Sequence, residues 1–264
     1  MLNFCAICPH PLIIIPEIGR SDSALARKTI QAMEKLSEDF QKSQCQTIII
    51  ISPHGPMRYD KFIANYEETF KGGLNDFDAN IPEKTFQNNL ALTKKIFKRS
   101  KQKDLPIEII RENKLDYGTL VPLYYLTKGF QEDYKIIPLA FTALDWKTHF
   151  AFGKVLGEMA ETEEENIAII ASGDLSHRLS DSAPAGFSPY GIKFDKTLIE
   201  LLDKKETNKI LNLNPEFSQE AGECGLRSII IALGAISGFK HEFQQLSYES
   251  PFGVGYLVGK WKIS

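Results

Sequence analysis

The stretch Thr47-Ile48-Ile49-Ile50-Ile51-Ser52-Pro53-His54-Gly55 decides how this chain folds. A threonine followed by four isoleucines shows no alternation of apolar and polar residues, so neither face of such a strand can look at water. Continuous β-branched runs of this length are strands buried on both faces, as in the centre of an α/β sheet. Proline and glycine then end the run and leave His54 at the carboxyl end of the strand, where open α/β sheets bind their ligands.

The same construction recurs on either side. Leu2 to Cys8 reads as a strand that stops at Pro9-His10-Pro11, and Asn166 to Ala171 reads as one that stops at Ser172-Gly173-Asp174-Leu175-Ser176-His177. Further strands are predicted at Phe62 to Asn65, Ile107 to Arg111 and Tyr134 to Ala140, with closing strands at Phe243 to Tyr248 and Val254 to Lys260. Helical spacing runs from Asp22 to Phe40, capped by Ser21 or Asp22, and again over Glu83 to Arg99, Lys147 to Glu161, Phe194 to Lys204 and Leu226 to Ile236. Strand and helix alternate. The fold class that follows is α/β, a single domain over residues 1–264 with a central, mostly β sheet covered by helices on both sides.

Composition narrows the partners. A net charge of −3 spread over 264 residues offers no basic footprint for nucleic acid, which favours a small-molecule substrate and leaves a homo-oligomer or protein partner open. No apolar run reaches transmembrane length, and Pro9, His10 and Pro11 break the first one, so neither a membrane span nor a secretory signal is expected. Four cysteines without such a signal read as free thiols in a cytoplasmic protein. Cys5 and Cys8 have a redox-like spacing, but three apart on one strand they point to opposite faces, which favours ordinary buried thiols. Phosphate-loop, GxGxxG and Gly-X-Ser-X-Gly motifs are absent.

The histidines carry the chemistry. Three of five, His10, His54 and His177, follow apolar strands directly, so they can converge although they are far apart in sequence. His149 and His241 lack that context and are expected at the solvated surface. Two imidazoles and a carboxylate make the facial triad of non-haem iron(II), with a third histidine free to move protons. Acidic candidates are Glu17, Asp174, Glu220 and Glu223. The last opens an apolar helix, where a carboxylate is also favoured by the helix dipole alone. Its neighbour Cys224 could supply a thiolate, which turns the preference toward Zn(II) or Cu.

Pro9-His10-Pro11, Ser52-Pro53-His54-Gly55, Leu115 to Leu123 (LDYGTLVPL) and Ser172 to His177 (SGDLSH) occur in an order that resembles the class III extradiol ring-cleavage dioxygenases, the LigB-like superfamily. Gly222 to Gly238 (GECGLRSIIIALGAISG) and the terminal SPFGVGYLVGKW resemble its Memo-like branch, associated with the AmmeMemoRadiSam system. The resemblance implies a LigB/Memo-like fold, Fe(II) held by His10 and His54, a third ligand at Glu223 or Cys224, and His177 as acid and base toward a catecholic substrate. Two departures stand out. Ring-cleaving members place a glutamate where Memo-like members have a cysteine, and Tyr117 replaces the histidine of the usual Asp-His-Gly. A phenol can donate a hydrogen bond to substrate, or pack at the base of a loop, but it is no proton relay near neutrality. Three functions follow: an extradiol-dioxygenase-like oxidoreductase, a Memo-like binding or scaffold protein, and a zinc-dependent hydrolase.

Overall fold

In the computed structural model, which describes residues 1–74, 77, 81–129 and 134–264, the isoleucine run is strand β2 (Thr47–Ser52), every residue of it buried. It lies in an eight-stranded mixed sheet with β1 (Leu2–Cys8), β4 (Thr69–Gly72), β5 (Lys84–Asn88), β7 (Lys135–Ala140), β8 (Ile167–Ser172), β9 (His241–Glu249) and β10 (Tyr256–Ile263), in the order β4-β5-β7-β2-β8-β1-β10-β9. The strands from β5 to β1 run parallel, while β4 and the final β10-β9 pair are antiparallel. A separate parallel pair joins β3 (Phe62–Asn65) to β6 (Ile107–Ile110).

Side chains of the central strands alternate between two apolar layers. Cys5, Ile7, Ile49, Ile51, Ile169 and Ala171 face α3 (Leu90–Gln102), α5 (Trp146–Ala160), α6 (Pro189–Asp203) and α9 (Leu226–Ile236). Phe4, Ala6, Cys8, Ile48, Ile50 and Ile170 face α2 (Arg27–Lys42) and α4 (Tyr117–Leu126). The expected single α/β domain, with helices on both sides of one sheet, is thus what the chain forms. Cys5 and Cys8 fall in opposite layers, as strand periodicity requires. Short helices complete the chain: α1 (Pro16–Gly19), α7 (Thr207–Ile210) and α8 (Pro215–Ala221).

Three local expectations differ from the structure. The segment Glu83 to Arg99 is not one helix: Lys84–Asn88 extends to pair with β4 and β7, and the Asn89 side chain then caps α3 by accepting from the Leu92 N–H. Asp22 to Phe40 begins as a 3-10 turn over Arg20–Ala26, and neither Ser21 nor Asp22 caps α2. The carboxylate of Glu249, from distant β9, takes the Thr29 N–H and hydroxyl instead, so the first turn is satisfied by a tertiary contact. Tyr117 does not stand at the base of a loop but opens α4, a helix buried nearly all round, whose apolar circumference gives no amphipathic signal.

Candidate metal centre

Strand order explains why the histidines meet. β2, β8 and β1 are adjacent and parallel, with Ile51 level with Ala171 and Ala171 level with Ile7, so all three stop at one height. Each ends in proline or glycine, and each turn delivers its histidine to the same edge. His10 Nε2 and His54 Nε2 stand 3.2 Å apart, their rings edge to face. The Asp174 Oδ2 atom is 3.8 Å from His10 Nε2 and 4.0 Å from His177 Nε2.

Cys224 completes the cluster from the far side. Its Sγ is 3.7 Å from His10 Nε2 and accepts from the Asp174 N–H at 3.2 Å. Access of the thiol to the strand ends depends on a backbone contact between two glycines: a Cβ on Gly173 would come within 2.2 Å of Gly225 Cα. His10, Asp174 and Cys224 each present one donor atom, all within 4.8 Å of one another, and His54 joins that trio through His10. Donors about 2.0–2.3 Å from a shared ion, at angles between right and tetrahedral, stand about 3–3.6 Å apart. The 3.2 Å between the two imidazole nitrogens falls in that range, and Cys224 Sγ at 3.7 Å and Asp174 Oδ2 at 3.8 Å lie a few tenths of an ångström beyond it.

Glu223 is turned elsewhere. Its carboxylate accepts from Ser218 Oγ at 2.6 Å and from the Leu226 N–H at 2.6 Å, closing the first turn of α9. Glu17 accepts from Tyr124, and Glu220 pairs with Arg178, so neither reaches the histidines. Tyr117 stacks on the His54 ring at 4.3 Å and brings its hydroxyl 2.8 Å from His54 Nε2. Of the two remaining histidines, His241 is half-buried, and His149 corrects the expectation of a surface residue. It is fully buried, its Nδ1 donating to the Asp145 carbonyl and its Nε2 accepting from the Thr142 N–H, between Phe62 and Phe141.

Electrostatics keep the two imidazoles ready for a cation. Burial holds His10 neutral, its pKa lowered to about 3, and partial burial of the ring, with a smaller contribution from the neighbouring His10 imidazole, lowers His54 to about 4. Both imidazoles therefore offer lone pairs at neutral pH. Burial pushes the Asp174 carboxyl above its ordinary range, against the pull of His177. Burial, reinforced by Asp174, raises the Cys224 thiol, and a cation would reverse that by drawing out the thiolate. Tyr117 is raised to about 12, chiefly by burial, so it is a neutral hydrogen-bond donor. His177 Nδ1 lies 2.9 Å from the Gly222 carbonyl, which can only accept, so Nδ1 carries a proton and Nε2 is the ring nitrogen that faces the cluster.

Residues 4–259 match the family described as the catalytic LigB subunit of aromatic ring-opening dioxygenase. The chain belongs to the LigB family. It is 36% identical over 268 residues to the Clostridium acetobutylicum protein CA_C1420, and spans 98% of its own length but only 57% of that relative's. It is 23% identical over 254 residues to the 3,4-dihydroxyphenylacetate 2,3-dioxygenase of Escherichia coli, covering 88% of each. An uncharacterized protein of Escherichia coli K12, JW3007, shares the fold with a TM-score of 0.63 at 17% identity, over 87% of this chain and 91% of the other.

Sequence reasoning singled out His10, His54, Asp174 and Cys224, which the structure brings together, but missed the residues that hold them. Ser52 Oγ accepts the His54 N–H and donates to Asp116, which caps α4. Ser172 stands between His10 and the same helix. A polar residue at the last position of two otherwise apolar strands was the available signal. A lysine-lined cleft of about 720 Å³ opens near Lys42, Lys205 and Lys240, at the opposite end of β1, and shares no residue with the histidine cluster. Among the described residues, no helix is long and apolar enough to cross a membrane.

Proposed function

We propose that this chain is a metal-dependent, extradiol-dioxygenase-like oxidoreductase acting on a small aromatic substrate of the catechol class. The observation that carries the reading is the convergence of His10, His54, Cys224 and Asp174 at one edge of the sheet, with His177 Nε2 and the Tyr117 hydroxyl beside them. His10 and His54 are the imidazole ligands, with Cys224 as third donor ahead of Glu223, whose oxygens are already engaged. An iron(II) ion held there supplies Lewis acidity toward a substrate hydroxyl and redox chemistry toward oxygen. His177 takes the proton of that hydroxyl at Nε2 and later returns it, while its Nδ1 stays anchored to Gly222. Tyr117 donates a hydrogen bond to bound substrate. His54, exposed at the rim, marks the open side from which substrate enters, and His10, 2% exposed, marks the dry side.

The cysteine favours a second reading at the same pocket. A thiolate donor is what the Memo-like resemblance implies, and it suits Zn(II) or Cu, so a hydrolysis driven by an activated water is the rival chemistry. Anaerobic purification followed by metal analysis and Fe(II) titration of wild type, His10→Ala, His54→Ala, Glu223→Ala and Cys224→Ala tests both. One equivalent lost in the two histidine variants and in Cys224→Ala, but kept in Glu223→Ala, is the expected pattern. Oxygen uptake with a catechol panel, abolished in His177→Ala, then separates oxidation from hydrolysis. Binding that ignores His10 and His54 would sink the metal centre and leave a binding or scaffold role.

A further inference from the structure

We propose that Ser172 is a positioning residue that locks His10 in the tautomer with its proton on Nδ1, so that the Nε2 lone pair faces the donor cluster. The consequence for metal binding rests on the reading above; the hydrogen-bond assignment does not. The chain of cause begins in α4. The Gly118 carbonyl is placed to accept from residue 122 one turn later, but residue 122 is proline and has no N–H to give. Ser172 Oγ occupies that vacancy, donating to the Gly118 oxygen at 2.5 Å.

A hydroxyl has one hydrogen, and here it is spent on Gly118, because a carbonyl can only accept. The lone pairs of Ser172 Oγ are therefore what His10 Nδ1 meets at 2.9 Å. That contact is a hydrogen bond only if Nδ1 carries the proton. With the proton on Nδ1, the lone pair of the imidazole is on Nε2, and it is Nε2 that points toward Cys224 Sγ, His54 Nε2 and Asp174 Oδ2. Ser172 is wholly buried, so water does not compete for its hydroxyl. A helix proline thus sets the protonation of an imidazole on another element through one serine.

Long-range proton–nitrogen NMR of the histidine rings in metal-free protein, paired with Co(II) titration, tests this on wild type and Ser172→Ala. Wild type is expected to show His10 protonated at Nδ1 alone. In Ser172→Ala the ring populates both tautomers, and Co(II) affinity falls about 10- to 100-fold, the usual loss when a partner of a metal-binding histidine is removed. Wild-type His10 protonated at Nε2, or a variant that keeps both the Nδ1 proton and wild-type affinity, overturns the proposal. Should Ser172→Ala fail to fold, the wild-type spectrum alone decides. Wild type that binds no Co(II) instead counts against the metal centre, and the tautomer still judges Ser172.

Discussion

Glu223 and Cys224 are neighbours in sequence with opposite assignments in space. The carboxylate turns back to close α9 through Ser218 and the Leu226 N–H, and the thiol turns forward to His10. Glu223→Ala should therefore cost about 1–2 kcal/mol of stability, as lost helix caps do, while the metal-donor set stays intact. Urea unfolding beside metal stoichiometry checks this: a variant of unchanged stability that loses metal would reverse the assignment. The contrast was not legible in the residues, because both types bind metals and both suit a helix N-terminus. His149 teaches the same lesson. Its own segment carries no pattern that marks it as buried; Phe62, far away in sequence, and Phe141, on the preceding turn of chain, close over it.

Elements were legible to the extent that their burial was one-sided or complete along the chain. β2 and β8 could be read because uninterrupted β-branched and small apolar residues admit few alternatives. α4 could not, because a helix buried on every side has no polar face to set a period. Its start is fixed by Asp116, which accepts from the Thr119 N–H, the Thr119 hydroxyl and Ser52 Oγ at once. Asp116→Ala is expected to lose about 2 kcal/mol, the upper range for a cap, and to loosen His54, whose N–H rests on Ser52. Hydrogen exchange of the first turn of α4 and of His54 should rise together. Faster exchange in the helix alone would separate the cap from the site.

Across the whole molecule, the antiparallel β10-β9 pair and α6 close the sheet over Asp195, a buried acid on α6 that accepts from Tyr248 on β9 and from the Ser176 N–H. Burial raises Asp195 to about 6, against the pull of those two hydrogen bonds. Since the unfolded carboxyl titrates near 4, the folded state holds a proton that the unfolded chain releases. The associated stability is fully present below about pH 4 and is lost as pH rises through about 6. Asp195→Asn cannot titrate, so its stability relative to wild type should rise by about 2 kcal/mol between pH 4 and pH 7. Parallel stability curves in urea would refute this.

By themselves, the residues determined the fold class, the central strands and the three histidines at strand ends, since local patterns of burial and chain-breaking residues are written in consecutive positions. Only the tertiary structure decided that β2, β8 and β1 are neighbours, that Cys224 faces His10 where Glu223 does not, and that Pro122 frees a carbonyl for Ser172. Those are contacts between segments separated by 50 or more residues, and their geometry is set by packing of the sheet against its helices, which no local period encodes.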